Sequence, residues 1–407
     1  MKNKKFDVVI FGATSFVGQI LVRYLWQTQG LGGSIRWAIA GRDATKLTQL
    51  KQSLGEQAAE LPVLQADAAS AESLSALCNQ TRVVASTVGP YALYGSELVR
   101  ICTETGTDYC DLTGEVQWIE RMIKAHEATA QAKGARIVHC CGFDSIPSDL
   151  GVYFLQQAAK TQFGEHCDTI AMRVRRLKGE FSGGTVASMI NVTREVAANP
   201  ALAKSLANPY LICPEQLAAR QPNVKFAEYD PQAKSWVAPF VMASINTRVV
   251  HRTNALLKYD YGKNFKYDEA MMTGQGLRGR LTAMGVASAL GGFLVGAAMP
   301  PTRWVLEKFV VPKPGEGPSE ASQKSGHYDL RFYGKTSKGQ SLVARVTGDM
   351  DPGYGSTAKM LGEAVLCLAT DVKEHPGGFW TPASIFGDKL IERLQARAGL
   401  TFNLVDG

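Results

Sequence analysis

None of the eight cysteines forms a Cys-x-x-Cys pair, and two of them, Cys140 and Cys141, are adjacent. This pattern matches neither a zinc site nor a disulfide framework, so reduced thiols are expected. The six histidines are scattered without ligand spacing, and no metal site is expected. Runs of like charge are missing too. A net charge of +7 is modest for 407 residues, and aromatic and basic residues are not interleaved, which argues against a nucleic-acid partner. The start, Met-Lys-Asn-Lys-Lys, precedes an apolar run too short for an export signal, so a cytoplasmic protein is expected. Long apolar runs are also lacking, with one exception at 281–299.

What is present starts near the beginning of the chain. An apolar run, Val8 to Phe11, ends in a glycine turn from Gly12 to Gly18, and Val17, Ile20, Leu21, Tyr24 and Leu25 then follow at helical spacing. Strand, tight turn and helix open a dinucleotide-binding unit, in which backbone N–H groups and the helix N-terminus face a pyrophosphate. The turn residues Gly12, Thr14, Ser15, Phe16, Val17 and Gly18 are the first candidates for cofactor contact. Gly12 supplies the turn and Gly18 close helix–strand packing. Ser15 stands where the usual fingerprint has its second glycine, and its small hydroxyl still admits a phosphate. A second strand, 36–40, ends in Gly41-Arg42-Asp43. A NAD site usually places an acidic residue at this strand end, about 20 residues past the turn. Here Arg42 suits a 2′-phosphate, and Asp43 reads as a helix N-cap. The cofactor expected is therefore NADP(H).

Further strands are expected at 61–66, 82–87, 107–112 and 136–141, separated by helices that include 97–105 and 116–133. Alternation of this kind to about residue 150 predicts an α/β fold: a Rossmann-type, doubly wound parallel sheet, with ligands beyond the carboxyl ends of the strands. The strand-end loops supply the remaining candidates. Thr87, Val88, Gly89 and Pro90 should lie near the nicotinamide ribose, with Tyr91 close to the reactive ring. Asp67 approaches the adenine or caps the next helix. Gly142, Phe143 and Asp144 open a polar loop beside the nicotinamide or the substrate. Beyond residue 150 the pattern changes. Strands are expected at 168–177, 237–250, 254–261, 328–333 and 341–347, a helix after Gly183-Gly184-Thr185, and an exposed loop at 312–325. The expected organisation is an NADP-binding domain at 1–150 and an α+β substrate or dimerisation domain at 151–350. A helical segment at 351–407 would return toward the first domain.

The uncharged stretch 281–299 approaches the length of a minimal membrane span, roughly 20 residues, but four glycines dilute it. Strands on either side of it that belong to one sheet would be parted by a single crossing. A shallow apolar helix pair lying on the membrane or lining an acyl-chain channel avoids this conflict, and a buried soluble helix and a true span are the alternatives. Arg278, Arg280, Arg303 and Lys308 flank the stretch and suit anionic headgroups.

Several strings together resemble the saccharopine dehydrogenase family, and more closely its saccharopine dehydrogenase-like oxidoreductase branch, which includes trans-acting enoyl reductases. They are Gly12-Ala-Thr-Ser-Phe-Val-Gly18, Ala40-Gly-Arg42, Ser86-Thr-Val-Gly-Pro-Tyr91, Tyr109-Cys-Asp-Leu-Thr-Gly-Glu115 and Cys141-Gly-Phe-Asp-Ser-Ile-Pro-Ser-Asp-Leu-Gly151. The likeness continues in Ser182-Gly-Gly-Thr185, Pro312-Lys-Pro-Gly-Glu-Gly-Pro-Ser319 and Gly377-Gly-Phe-Trp-Thr-Pro382. The resemblance implies an NADP-dependent oxidoreductase that reduces an enoyl or related double bond in a lipid or polyketide-type substrate, free or on a carrier. Two alternatives stay open: a non-catalytic NADP-binding protein at membranes or lipid droplets, and an amino-acid dehydrogenase of saccharopine type. Peripheral membrane contact through 281–299 and a homodimer stay open as well. For an enoyl substrate, Tyr91 is the first candidate proton donor and Asp144 the second. Arg248, His251 and Arg252, read as strand residues, are candidates to meet an anionic headgroup or carrier phosphate.

Overall fold

The structure of the protein is a computed structural model that describes residues 4–179, 183–309 and 317–406. Five of the six residues of β1 (Phe6–Phe11) are buried, so both faces of this strand are covered, as expected for the middle of a parallel sheet. β2 (Trp37–Gly41), β3 (Val63–Gln65), β4 (Thr81–Ser86), β5 (Asp108–Asp111) and β6 (Arg136–Val138) follow. With the late strand β13 (Gly378–Trp380) they form a seven-stranded sheet in the order β13-β6-β5-β4-β1-β2-β3. Every pairing in it is parallel, with Val9 opposite Ala38 on one side and Val84 on the other. The strand order reverses at β1, whose neighbours are β4 and β2, and a crevice for ligands opens at such a switch point.

The second sheet contains β7 (Thr169–Lys178), β8 (Glu228–Asp230), β9 (Ser235–Pro239), β10 (Lys266–Gly274), β11 (His327–Lys335), β12 (Ser341–Gly348) and β14 (Leu400–Val405). Its order is β14-β12-β11-β7-β10-β9-β8, antiparallel except where β10 runs alongside β7. Burial along β11 and β12 partly alternates, as befits a sheet with one face packed on a core. Helix Ile146–Phe163 supplies that packing against β11 and β12. It approaches closely because residue 151 is glycine: a Cβ there would lie 2.3 Å from the Phe332 ring.

One continuous core joins the two sheets. Helix Thr357–Thr370, almost wholly buried, packs on β1, β4 and β5 and on helix Phe16–Gln29. The chain after residue 350 thus divides between the sheets, giving β13 to the first and β14 to the second.

Two expected strands are not strands. In 237–250, β9 ends at Pro239 and helix Ala243–Leu256 begins four residues later. Thr247, Val249, Val250 and Thr253 give this segment a strand-like composition, yet its buried positions 245, 249, 250 and 253 follow helical spacing. In 254–261 the chain turns, with Lys258 and Tyr259 at positive φ. Of the loop expected at 312–325, residues 312–316 lie outside the described residues, as does Ser182, and Glu320–Ser325 is a short helix. β10 and β11 stand on either side of β7, so the chain before and after the apolar stretch enters one sheet. A single membrane crossing would separate them.

Candidate active site

A cavity of about 1970 Å³ begins at the switch point of the first sheet and continues against the second. Its first wall is the glycine turn. Gly12 has φ +83°, and a Cβ there would lie 2.7 Å from the Val88 side chain, so the β1 and β4 loops meet only because residue 12 is glycine. Ser15 caps helix Phe16–Gln29, its Oγ accepting from Gly18 N at 2.9 Å. The same oxygen lies 2.9 Å from Thr87 Oγ1, which donates to the Gly12 carbonyl at 2.9 Å. The two cofactor loops are therefore tied together by hydroxyls. Phe16 N–H and Val17 N–H have no backbone acceptor in the turn and lie at the positive end of the helix.

This end of the cavity suits a dinucleotide with a 2′-phosphate. Arg42 lines it, exposed and at the end of β2, together with Arg23 and Lys46. Asp43 caps the next helix through Lys46 N, at 3.0 Å, and does not occupy the ribose position. Asp67 also lines the cavity, and its carboxylate accepts from Ala69 N at 3.0 Å, turning the chain toward the helix that Ser70 caps.

Thr14, Ser15, Phe16, Val17, Thr87, Val88, Gly89, Pro90, Phe143 and Asp144 are all brought to the cavity wall. Gly18 and Gly142 are not among its lining residues. Gly18 lies under the Gly12 carbonyl, and Gly142 is wedged between Leu112 and Thr357. The reading of Gly142 as a cofactor contact is corrected to one of close packing. Thr357 holds the adjacent loop directly, its Oγ1 accepting from Phe143 N at 2.8 Å.

The two candidate acids have different surroundings. Tyr91 is buried, and its hydroxyl donates to the Ser86 carbonyl at 3.0 Å and accepts from Leu112 N at 3.2 Å. Burial, aided by the Asp111 charge, pushes this phenol well above its ordinary range. Tyr91 thus lines the cavity while its hydroxyl joins β4 to the end of β5. Asp144, by contrast, is half-buried on the cavity wall, and no side chain hydrogen-bonds its carboxyl among the described residues. Burial, reinforced by Asp111, pushes its pKa up to about 7. A carboxyl at that value exists in both protonation states near neutral pH, as a general acid must.

The basic trio is also rearranged. Arg252 is buried and donates to the carbonyls of Ile212 (2.5 Å) and Phe379 (2.7 Å), with Glu127 at 3.4 Å. His251 is buried between the rings of Tyr210 and Phe265. Only Arg248 of the three lines the cavity.

Sequence reading assigned no role to Glu115 or Glu269. Buried Glu115 accepts from Tyr91 N (2.7 Å), Ala92 N (3.1 Å) and Ser188 Oγ (2.9 Å), so it fixes the loop after β4 to helix Gly183–Ala198. Glu269 lies on the cavity side of β10 and accepts from Asn246 Nδ2 (2.9 Å) and the Tyr267 hydroxyl (2.7 Å). Asn246 in turn donates to Ser148 Oγ and accepts from Ser145 Oγ, at the start of helix Ile146–Phe163. Glu115 stood within a recognised string, which was the available signal. Glu269 had none, because its partner Asn246 sits on a separate helix and links it in turn to Ser145 and Ser148.

The family model "Saccharopine dehydrogenase NADP binding domain" matches residues 8–138. A Mycobacterium tuberculosis protein provisionally named a trans-acting enoyl reductase is 41% identical over 97% of this chain and 96% of its own length. Trans-acting enoyl reductases of Mycobacterium bovis and Mycobacterium leprae are 36% and 35% identical, each over 96% of both chains. Among solved structures, the apo saccharopine dehydrogenase (L-Glu forming) of Saccharomyces cerevisiae aligns with a TM-score of 0.55 at 14% identity, over 98% of this chain and 100% of that one. That is a likeness of fold.

Proposed function

Because the chain belongs to the saccharopine dehydrogenase family, in the branch of the trans-acting enoyl reductases, we propose that it reduces the carbon–carbon double bond of an enoyl substrate of lipid or polyketide type. It is an NADP-dependent oxidoreductase. The observation that carries the reading beyond kinship is Asp144, a carboxyl raised by burial to a pKa of about 7 on the wall of the same cavity that the glycine turn lines.

The cofactor, when bound, supplies hydride to the β-carbon. The turn residues and the 87–90 loop hold and orient it, and Arg42, with Arg23 and Lys46 nearby, receives the 2′-phosphate. Asp144 holds a proton for the enolate that develops on the substrate, and Phe143 beside it keeps water away. The substrate half of the cavity is largely apolar, with Met189, Val192, Phe240, Ile245, Leu290 and Leu294 on its walls. Open space of this size beside the nicotinamide end favours an enzyme over a cofactor-binding sensor, in which that space would be filled.

We place the protein in the cytoplasm, at a membrane surface. Support comes from helix Gly276–Ala298, which is apolar, only 17% buried over its most apolar stretch, and lends Leu290 and Leu294 to the cavity. Oxidation of NADPH by the purified protein, followed against enoyl thioesters and free enoyl lipids with saccharopine as a control, tests the function. Turnover on an enoyl compound is expected, with NADPH preferred over NADH and the preference reduced by Arg42→Ala. Turnover on saccharopine alone would overturn the reading.

A further inference from the structure

Arginines buried in this protein carry carboxylates. Arg136 meets Asp108, Arg173 meets Asp230 and Asp268, and Arg252 meets Glu127, while the half-buried Arg393 meets Glu363 and Asp371. Arg248 departs from this pattern. Its Nη1 donates to Thr247 Oγ1 at 2.9 Å and its Nη2 to the Leu206 carbonyl at 2.5 Å, both neutral acceptors. Its Nε is out of reach of water and has no acceptor among the described residues. Burial lowers its pKa to about 10, and no carboxylate offsets that effect.

The acidic groups on neighbouring elements are committed elsewhere. Asp268 pairs with Arg173, and Glu195 on helix Gly183–Ala198 pairs with Arg121. Glu269 is hydrogen-bonded by Asn246 and Tyr267, and burial pushes it up to about 7. His251, on the same helix as Arg248, is held neutral by burial and by the Arg248 charge, with a pKa lowered to about 3. A half-buried guanidinium without a counter-ion is costly unless an anion comes to it. The cavity leads to it, and two exposed cations, Arg220 and Lys225, line the same cavity. Neither forms an ion pair among the described residues.

We propose that Arg248 is the anchor for an oxyanion on the substrate, a phosphate or a carboxylate, with Arg220 and Lys225 drawing it into the cavity. Three of the five guanidinium N–H donors are unused in the free protein, so the geometry allows a charge-assisted contact without breaking the existing two. The inference rests on the enoyl-reductase reading for the chemistry that follows, but the binding itself does not depend on that reading. Two sources supply such a group: the phosphate of a phosphopantetheine arm, when the acyl group arrives on a carrier, and the carboxylate of a free fatty acid.

Calorimetric titration of the full-length, NADPH-saturated protein separates these sources. The probes are 4′-phosphopantetheine, pantetheine without its phosphate, and octanoate, each against wild type, Arg248→Met and Arg248→Lys. Saturable binding of at least one anion is expected, weakened tenfold or more in Arg248→Met and partly restored in Arg248→Lys. Preference for 4′-phosphopantetheine over pantetheine assigns the phosphate; preference for octanoate assigns the carboxylate. The melting temperature of ligand-free Arg248→Met should not fall, since that variant loses a charge without a counter-ion. Absence of saturable binding of either anion to wild type, or equal binding by Arg248→Met, would overturn the proposal. Turnover is scored separately: Arg248-dependent binding without reduction of any enoyl compound would remove the enoyl reading and leave the anchor standing.

Discussion

Tyr91 follows β4 and Asp144 follows β6, with β5 between these strands, and their hydrogen bonds set the two residues apart. The acid must be protonated to work, and Asp144 loses its proton near pH 7. The wild-type kcat is therefore expected to hold below about pH 7 and to fall above it. In Asp144→Asn the fall should vanish and kcat should drop on the order of 10²-fold or more, while NADPH affinity stays within a factor of a few. A pH–rate profile of both proteins checks this, and an unchanged falling limb in the variant would remove Asp144 from the chemistry. Tyr91→Phe makes the opposite case. It leaves the Ser86 carbonyl and Leu112 N–H without their partner, a loss of about 1–3 kcal/mol with kcat largely kept. Denaturant melts beside initial rates distinguish the two. Sequence reading found both residues, because strand-end loops are where ligands bind in such sheets. It could not foresee the partners of the Tyr91 hydroxyl, because Ser86 and Leu112 are brought to it by the fold and local pattern does not reveal them.

Among elements, those with a strong period were legible and those with conflicting signals were not. The sequence pattern locates both ends of helix Val116–Lys133, and those of β7 to within one residue, since each carries one clear period. Helix Ala243–Leu256 was misread because β-branched residues fill it and tertiary packing overrides their propensity. β13 and β14 were missed: three residues of strand have no period to read, and β14 buries only Leu400 and Phe402 of its six residues. The apolar helix Gly276–Ala298 was found, and its surroundings give it a use. Leu277 is 70% and Val295 61% exposed, with Leu281, Leu294, Met299, Trp304 and Val305 exposed as well, an apolar surface that water disfavours. Arg278 and Arg280 sit at one end of the helix and Arg303 and Lys308 beyond the other, with Arg280 over the Trp236 ring. Flotation with vesicles containing anionic phospholipid should therefore retain the protein, and neutral vesicles should retain less. Replacing Leu277, Leu281 and Val295 together by serine is expected to abolish flotation while leaving NADPH binding intact. Equal flotation of that variant would show that the helix does not touch lipid.

For the whole molecule, the cavity depends on how two sheets are held around it, and buried polar groups add to the apolar core that joins them. Glu363, buried in the last long helix, accepts from Tyr24 of the first helix and from Arg393 near the chain end. Asp149 receives Thr253 Oγ1 at 2.6 Å and Ala383 N at 2.7 Å, and Glu269 links β10 through Asn246 to the loop that carries Asp144. None of these long-range joins was legible, because each brings together segments far apart in the chain. They make stability depend on pH. Burial raises Asp149 and Glu269, like Asp144, to about 7. A carboxyl raised on folding binds its proton more tightly in the native state, so its contribution is complete below the unfolded pKa, near 4, and is lost as pH rises through about 7. His126, His166, His251 and His375, all lowered by burial, act in the opposite sense and stabilise as pH rises through about 6.5. The slope for wild type therefore mixes two signs, but the difference between wild type and Glu269→Gln isolates one group. Glutamine keeps acceptors for Asn246 and a partner for the Tyr267 hydroxyl, and it cannot ionise. The variant is expected to gain stability relative to wild type as pH rises from 5 to 8. Melting temperatures across that range measure the gain, and a difference that stays constant with pH would show that Glu269 is already ionised in the folded protein at pH 5.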